Sequence, residues 1–245
     1  MASKRKILIS KDGSSFYVKD ASKDFHTEFG YVKAEDLARK DGSKVITNTG
    51  REFAVFSSSF ADDYKKIKRA PQIIPLKDVG AIVSETGLGK KSKVVDAGTG
   101  SGALAFFLAN ITKQVASYEI RQDFFEIAIK NKEFLGIKNL TLKNKDVTLG
   151  IDEKNIDLVT LDLPAPWEAV KHAANALKAG GFLVSYSPTI PQVMDFIAEI
   201  KKNNLAHMKT IEIIEREWDV DERKVRPKSQ AIGHSGFLSF CRKIG

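Results

Sequence analysis

The sequence predicts an α/β fold: an open, mainly parallel sheet covered by helices, with an antiparallel last strand, preceded by a small β-rich domain. Three observations predict it. From residue 77 onward, strand-like apolar runs alternate with helix-like stretches. The run Val94-Val95-Asp96 leads into a glycine-rich turn that opens a helix. The first sixty residues instead hold short apolar runs separated by polar turns.

In chain order, residues 7–10 and 15–18 read as two strands joined by the turn Lys11-Asp12-Gly13-Ser14, with glycine where φ must be permissive. Further strands are expected at 29–32, 44–47 and 52–56. Residues 1–60 thus form a barrel or sandwich, or else an edge extension of the main sheet. Residues 61–76, polar and punctuated by Pro71 and Pro75, read as a linker. The domain at 77–245 begins with a helix at 77–86, a buried strand at 93–96 and a helix at 103–111. There follow a strand at 115–119, a helix at 123–134, and strands at 140–143 and 156–162. A helix at 168–177, closed by Gly180-Gly181, precedes a strand at 182–186 and a helix at 192–203. Two last strands, at 210–215 and 236–242, have no long helix between them and supply the antiparallel edge.

An apolar fraction of 42% and a charged fraction of 29% are those of a globular protein. There is no run of about 18 apolar residues, as a membrane helix requires. The opening residues lack the apolar core and cleavage site of a secretory signal, so the cytoplasm is the expected compartment. The single cysteine, Cys241, reads as a small buried hydrophobe, and the four histidines have no metal-ligand spacing. The net charge of +8 is unevenly placed. Residues 1–70 hold 15 Lys/Arg against 10 Asp/Glu, residues 216–245 hold 7 against 4, and the stretch between is balanced. Basic ends on a neutral body suit a polyanion such as nucleic acid, or a merely lysine-rich surface.

The strongest chemical signal is Asp96-Ala97-Gly98-Thr99-Gly100-Ser101-Gly102-Ala103-Leu104. Glycines let the backbone approach a ligand with no Cβ in the way, and the helix N-terminus beyond them presents unpaired N–H groups. Dinucleotide folds use a similar turn, so the turn alone leaves the cofactor open. Asp96 stands where a carboxylate meets the cationic amino-acid end of S-adenosylmethionine through an amide or water. Glu119 ends the next strand, with both oxygens free to accept from ribose hydroxyls. Asp146, after the third strand, is placed to accept from an adenine amino group. Any one of these acids alone reads more readily as a surface carboxylate than as a ligand. Three of them ending consecutive strands beside a glycine turn point to a nucleoside cofactor. The fourth strand ends in Leu161-Asp162-Leu163-Pro164-Ala165-Pro166-Trp167, a rigid loop at the edge where open α/β sheets bind ligands. Asp162 is expected at the cofactor's reactive end, with Trp167 stacking there or packing in the core.

These motifs, with Ser117-Tyr118-Glu119 and the ending Arg226-Pro227…Gly233-His234-Ser235-Gly236-Phe237-Leu238, resemble the tRNA (adenine-N1)-methyltransferase family over about residues 65–245. The resemblance implies a class I, Rossmann-like methyltransferase sheet and S-adenosylmethionine as methyl donor. It implies methylation of the tRNA T-loop, at position 58 and in some archaea 57, by a homotetramer. It further implies that Gln72, Asp96, Gly98, Gly100, Ser101, Gly102, Ala103, Leu104, Glu119, Asp146, Val147 and Asp162 hold the cofactor, and that Asp162 sits at the methyl-transfer centre. Residues 71–78 resemble the family's cofactor-covering stretch, with one departure: Pro75-Leu76 replaces the usual aromatic or histidine before Pro-Lys-Asp. The competing readings are a methyltransferase acting on a protein or small molecule, a non-catalytic tRNA-binding subunit, and a nicotinamide-dependent oxidoreductase.

Overall fold

The structure is a computed structural model, and it describes residues 5–69, 73–221, 223–230 and 232–245. The chain divides into two compact units, the first ending at Lys66 and the second running from Ile67 to Gly245.

The first unit contains β1 (Lys6–Ile9), β2 (Ser15–Val18), β3 (Phe25–Thr27), β4 (Gly30–Val32), α1 (Ala34–Leu37), β5 (Ser43–Ile46), β6 (Glu52–Ser57) and α2 (Phe60–Tyr64). Strands β2-β1-β6-β5 form one antiparallel sheet and β3-β4 a separate hairpin. In the β1–β2 turn, Gly13 takes φ +89°, and the amides of Gly13 and Ser10 bond across it. Alternation along the strands turns Leu8, Val18, Val45, Phe53 and Val55 inward; Phe16 packs edge-on against Phe53, and Phe29 lies tilted against the same ring. Residues expected as linker from 61 onward instead begin inside α2. Ser59 and Asp62 form a reciprocal capping box there, and Asp63 is buried against Tyr17 and Arg5. The polar composition of this stretch concealed two anchored acids.

The second unit contains α3 (Leu76–Thr86), β7 (Lys93–Ala97), α4 (Ala103–Ile111), β8 (Gln114–Tyr118), α5 (Gln122–Leu135), β9 (Leu140–Lys143), β10 (Ile156–Leu161), α6 (Val170–Ala176), β11 (Leu177–Ser187), α7 (Ile190–Ile200), β12 (Leu205–Glu212), β13 (Trp218–Asp221), β14 (Lys224–Pro227) and β15 (Phe237–Lys243). Its seven-stranded sheet has the order β12-β15-β11-β10-β7-β8-β9, parallel except for β15, which runs against both neighbours. The last strand is thus antiparallel as expected, but it inserts between β11 and β12 and leaves β12 at the edge. Near-continuous apolar runs such as Lys93–Ala97 suit strands buried on both faces. Helix α4 is apolar nearly all round and is buried accordingly.

Two local expectations need correction. The helix expected at 168–177 is a 3-10 turn (Pro166–Ala169) followed by α6, and Gly180-Gly181 lie inside β11 rather than closing a helix. A side chain at 181 would press on the Ile156 carbonyl 2.9 Å away, so glycine lets the strand pair there. The β13–β14 hairpin was not anticipated, because charged residues interrupt its apolar alternation. Among the described residues, no helix is long and apolar enough to cross a membrane.

Phe53 fills the centre of the first unit's core. Phe53→Ala is expected to lower stability by about 3–5 kcal/mol, read as a shift in urea midpoint at constant slope.

Candidate active site

The carboxyl ends of β7, β8 and β10 converge on the glycine turn. The amides of Gly98 and Thr99 donate to the Tyr118 carbonyl, and the Asp162 amide donates to the Ala97 carbonyl at 2.8 Å. Gly98, Gly100 and Gly102 all take positive φ, at +90°, +54° and +88°. A Cβ on Gly98 would collide with the Asp162 carbonyl, and one on Gly102 with the Phe106 ring, whereas the space beside Gly100 is open. Gly102 is the N-cap of α4 and offers no side chain to its first-turn amides, those of Ala103 and Leu104 among them. Ser101 Oγ is buried with no hydrogen-bond partner. A buried hydroxyl with no protein partner, beside open space and the first-turn amides of a helix, has the hydrogen-bonding capacity to receive a small polar group.

The acids are placed differently from one another. Asp96 lies wholly within the sheet, where Ser117 and Thr160 on the flanking strands donate to its two oxygens at 2.6 and 2.8 Å. Burial raises its pKa, and the charge of Glu119 adds to the effect. Glu119 was expected to have both oxygens free. Instead they accept from the amides of Gly100 (2.7 Å) and Arg121 (2.9 Å), because the chain turns back over the acid after β8. Each oxygen keeps a second lone pair for a ligand. Asp146 caps the 3-10 turn Val147–Leu149 through one oxygen, which accepts from the amide and hydroxyl of Thr148. Its other oxygen has no partner among the described residues, and Val147 is buried beside it. Asp162 makes no side-chain hydrogen bond among the described residues. Burial first, and then the charges of Asp96 and Glu119, push its pKa up to about 7. Gln72 lies outside the described residues.

Several supports were not visible in the sequence. Asn131 on α5 donates to the carbonyls of Lys68 and Ser101 and accepts from the Lys68 amide, fastening the turn to the segment before residue 70. Gln192 on α7 donates to the Pro164 carbonyl and fixes the Asp162 loop from the far side. Tyr186, near the end of β11, donates to the Ser235 carbonyl at 2.6 Å. Its phenol is held up at about 12, by burial first and then by the charges of Asp78 and Asp162. The signal for Tyr186 was its position at the end of the strand beside β10. The partners of the other two are remote in sequence.

The raised pKa of Asp162 makes a stability prediction. A carboxyl whose folded pKa lies above its ordinary value costs no stability below that value and progressively more as pH rises through the folded one. Asp162→Asn should therefore gain stability over the parent between the ordinary value of 3.8 and about 7, by on the order of a few kcal/mol at neutral pH. Urea unfolding of both proteins at pH 5 and pH 8 checks this, and an unchanged difference would show that Asp162 is solvated.

The sequence model described as the tRNA methyltransferase complex GCD14 subunit matches residues 65–231. The tRNA (adenine(57)-N(1)/adenine(58)-N(1))-methyltransferase TrmI of Methanocaldococcus jannaschii is 33% identical, over 97% of this chain and 94% of its own. The tRNA (adenine(58)-N(1))-methyltransferase TrmI of Thermus thermophilus is 33% identical over 89% of this chain and 88% of its own. Among solved structures, an S-adenosylmethionine-dependent O-methyltransferase from Thermotoga maritima superposes with a TM-score of 0.86 at 27% identity, covering 98% of this chain and 93% of its own. The tRNA (m1A58) methyltransferase TrmI of Aquifex aeolicus has a TM-score of 0.80 at 24% identity, covering 98% and 97%, and shares the fold. With the sequence model spanning more than half of the chain, and one relative a third identical along nearly all of it, the chain belongs to the GCD14/TrmI family of tRNA methyltransferases.

Proposed function

We propose that this protein transfers a methyl group from S-adenosylmethionine to N1 of adenine in the tRNA T-loop, at position 58 and extending to 57. The observation that carries this reading is the charge of the cleft. Asp96, Glu119 and Asp162 meet around the glycine turn, and none of them pairs with a side-chain cation among the described residues. Such a cleft favours a cationic ligand. A pyrophosphate would be repelled, which argues against a nicotinamide dinucleotide.

S-adenosylmethionine fits these residues and, when bound, supplies an electrophilic methyl group on a positively charged sulfur. Gly98, Gly100, Gly102 and the amides of Ala103 and Leu104 receive its amino-acid end, with the orphan Ser101 Oγ taking a hydrogen bond. Asp96 reaches that end through water, since its direct acceptor sites face Ser117 and Thr160. Glu119 receives the ribose hydroxyls, and the free oxygen of Asp146 and the wall at Val147 receive the adenine. Adenine N1 is itself a nucleophilic lone pair, so no strong base is required. Ionised Asp162 accepts from the exocyclic amino group, orients the base and faces the positive charge that develops on the purine. A preorganised group of this kind contributes about 2.7–4 kcal/mol. The target base leaves its stack to enter, at a cost of a few kcal/mol.

The exposed basic residues at both ends of the chain hold the RNA backbone. Self-association as a homotetramer is supported by β13–β14, where Trp218, Val220, Val225 and Pro227 share one exposed face of the hairpin. The cytoplasm, where tRNA is found, is the compartment of this activity.

Three measurements test the reading. Asp162→Ala should keep cofactor affinity within tenfold yet lose roughly 10²–10³ in kcat. Glu119→Ala should weaken cofactor binding by about 1–3 kcal/mol in titration calorimetry. In the parent, kcat/KM for the methyl donor should rise with pH and level off above about 7 as free Asp162 ionises. Undiminished transfer by Asp162→Ala makes that residue structural.

The RNA surface is tested by salt. Arg5 and Lys6 belong to ion pairs with Asp63 and Asp41 and are largely buried, so they are poor phosphate ligands. The exposed Lys19 and Lys40 are better ones in the first unit, and Arg223 in the second. Neutralising either group should flatten the plot of log tRNA affinity against log salt by roughly 0.7–0.9 for each phosphate no longer neutralised. Parallel lines of equal affinity would leave a surface that only solubilises.

A further inference from the structure

Lys77 and Asp78, in the first turn of α3, form an ion pair that is nearly inaccessible to water, with side-chain exposures of 9% and 1%. The Lys77 ammonium reaches both oxygens of its neighbour, at 2.8 and 2.9 Å. The remaining partner comes from 157 residues away. Ser235 Oγ accepts from Lys77 at 2.6 Å and donates its one proton to Asp78 at 2.9 Å, so the hydroxyl bridges the two halves of the pair. The backbone of the same residue accepts the Tyr186 hydroxyl at 2.6 Å. The next residue, Gly236, lies so close to the Tyr186 ring that any Cβ there would collide with it. His234, just before, holds the turn from the other side, through Glu212 at 2.6 Å and the Pro188 carbonyl at 2.8 Å.

A buried ion pair is a weak source of stability, because desolvation offsets most of its attraction. What it provides is a fixed place for its ligands. This pair fixes the place of residue 235. The Tyr186 proton is committed to the Ser235 carbonyl, so the lone pairs of the phenol oxygen are what it offers to the cleft. The parallel register that pairs Leu161 with Ser185 carries the next residues, Asp162 and Tyr186, side by side to the same face at the carboxyl edge of the sheet.

We infer that Ser235, locked by the Lys77–Asp78 pair, is a positioning residue for methyl transfer: it seats Tyr186 beside Asp162 with its oxygen turned toward the reacting base. The inference rests on the methyl-transfer reading above and adds to it a residue distant from the cofactor turn. Because a misplacement of about 1 Å costs up to 10²-fold in rate, Ser235→Ala in the full-length protein should lower kcat for a tRNA transcript by about tenfold. Cofactor affinity by calorimetry should stay unchanged. Ser235→Thr, which keeps the hydroxyl, should recover most of the turnover. The decisive variant is the double one. If Ser235 acts through Tyr186, then Tyr186→Phe/Ser235→Ala is no slower than Tyr186→Phe alone. Additive losses, a wild-type kcat in Ser235→Ala, or no recovery in Ser235→Thr would each overturn the inference and leave the methyl-transfer reading standing. A parent protein that methylates no tRNA would overturn both.

Discussion

The site depends on one close approach, that of the Asp162 backbone to Gly98. The Asp162 amide bonds to the Ala97 carbonyl, and its own carbonyl occupies the space a side chain at 98 would need. Because Gly98 and Thr99 are in turn bonded to the Tyr118 carbonyl, the ends of β10, β7 and β8 become one object. The positive φ of Gly98 turns the chain away from β7, and a residue with a Cβ would be both strained and obstructed there. From this constraint follows the meeting of three carboxylates at the carboxyl edge of the sheet. The glycine allows the density of carboxylates on which the proposed chemistry rests.

That density is unfavourable in the free protein. Burial and mutual repulsion raise Asp96 and Asp162, and no cation among the described residues offsets them. The structure limits the cost by giving Asp96 two hydroxyls and Glu119 two amides, while leaving Asp162 without a partner among the described residues. The unsatisfied group is thus the one proposed to meet the substrate. Unspent hydrogen-bonding capacity at Asp162 and Ser101 Oγ is concentrated where a ligand is to bind, as expected of a site that sacrifices stability for function.

Much of this was legible in the sequence because it is local. The bounds of α4 and β9 follow from periodicity and flanking residues, and the acids follow from the strand ends. What was not legible depends on partners far along the chain. The acceptor sites of Glu119 are taken by amides that only the folded turn presents. The Ser59 cap made a helix out of residues that composition had assigned to a linker. Ser235 stands in a motif recognisable by resemblance, yet nothing local indicates that its hydroxyl closes an ion pair 157 residues away.

The same distinction governs the charge. A count of lysines and arginines places a formal excess at each end of the chain, but a cation already paired in the fold has little left for phosphate. Arg5 and Lys6, the most basic run in the first ten residues, are held by Asp63 and Asp41 against the first unit's own sheet and helix. Their role is to tie β1 to α2 and to the turn before β5, so their loss would be felt as stability before it was felt as RNA affinity. The charge available to a polyanion is the exposed, unpaired remainder, a smaller set than composition suggests. Counterion release scales with the phosphates actually neutralised, not with net charge. The contrast between surface and cleft is therefore one of pairing: exposed cations such as Lys19, Lys40 and Arg223 form no ion pair among the described residues, whereas the cleft gathers carboxylates with no cation beside them among those residues.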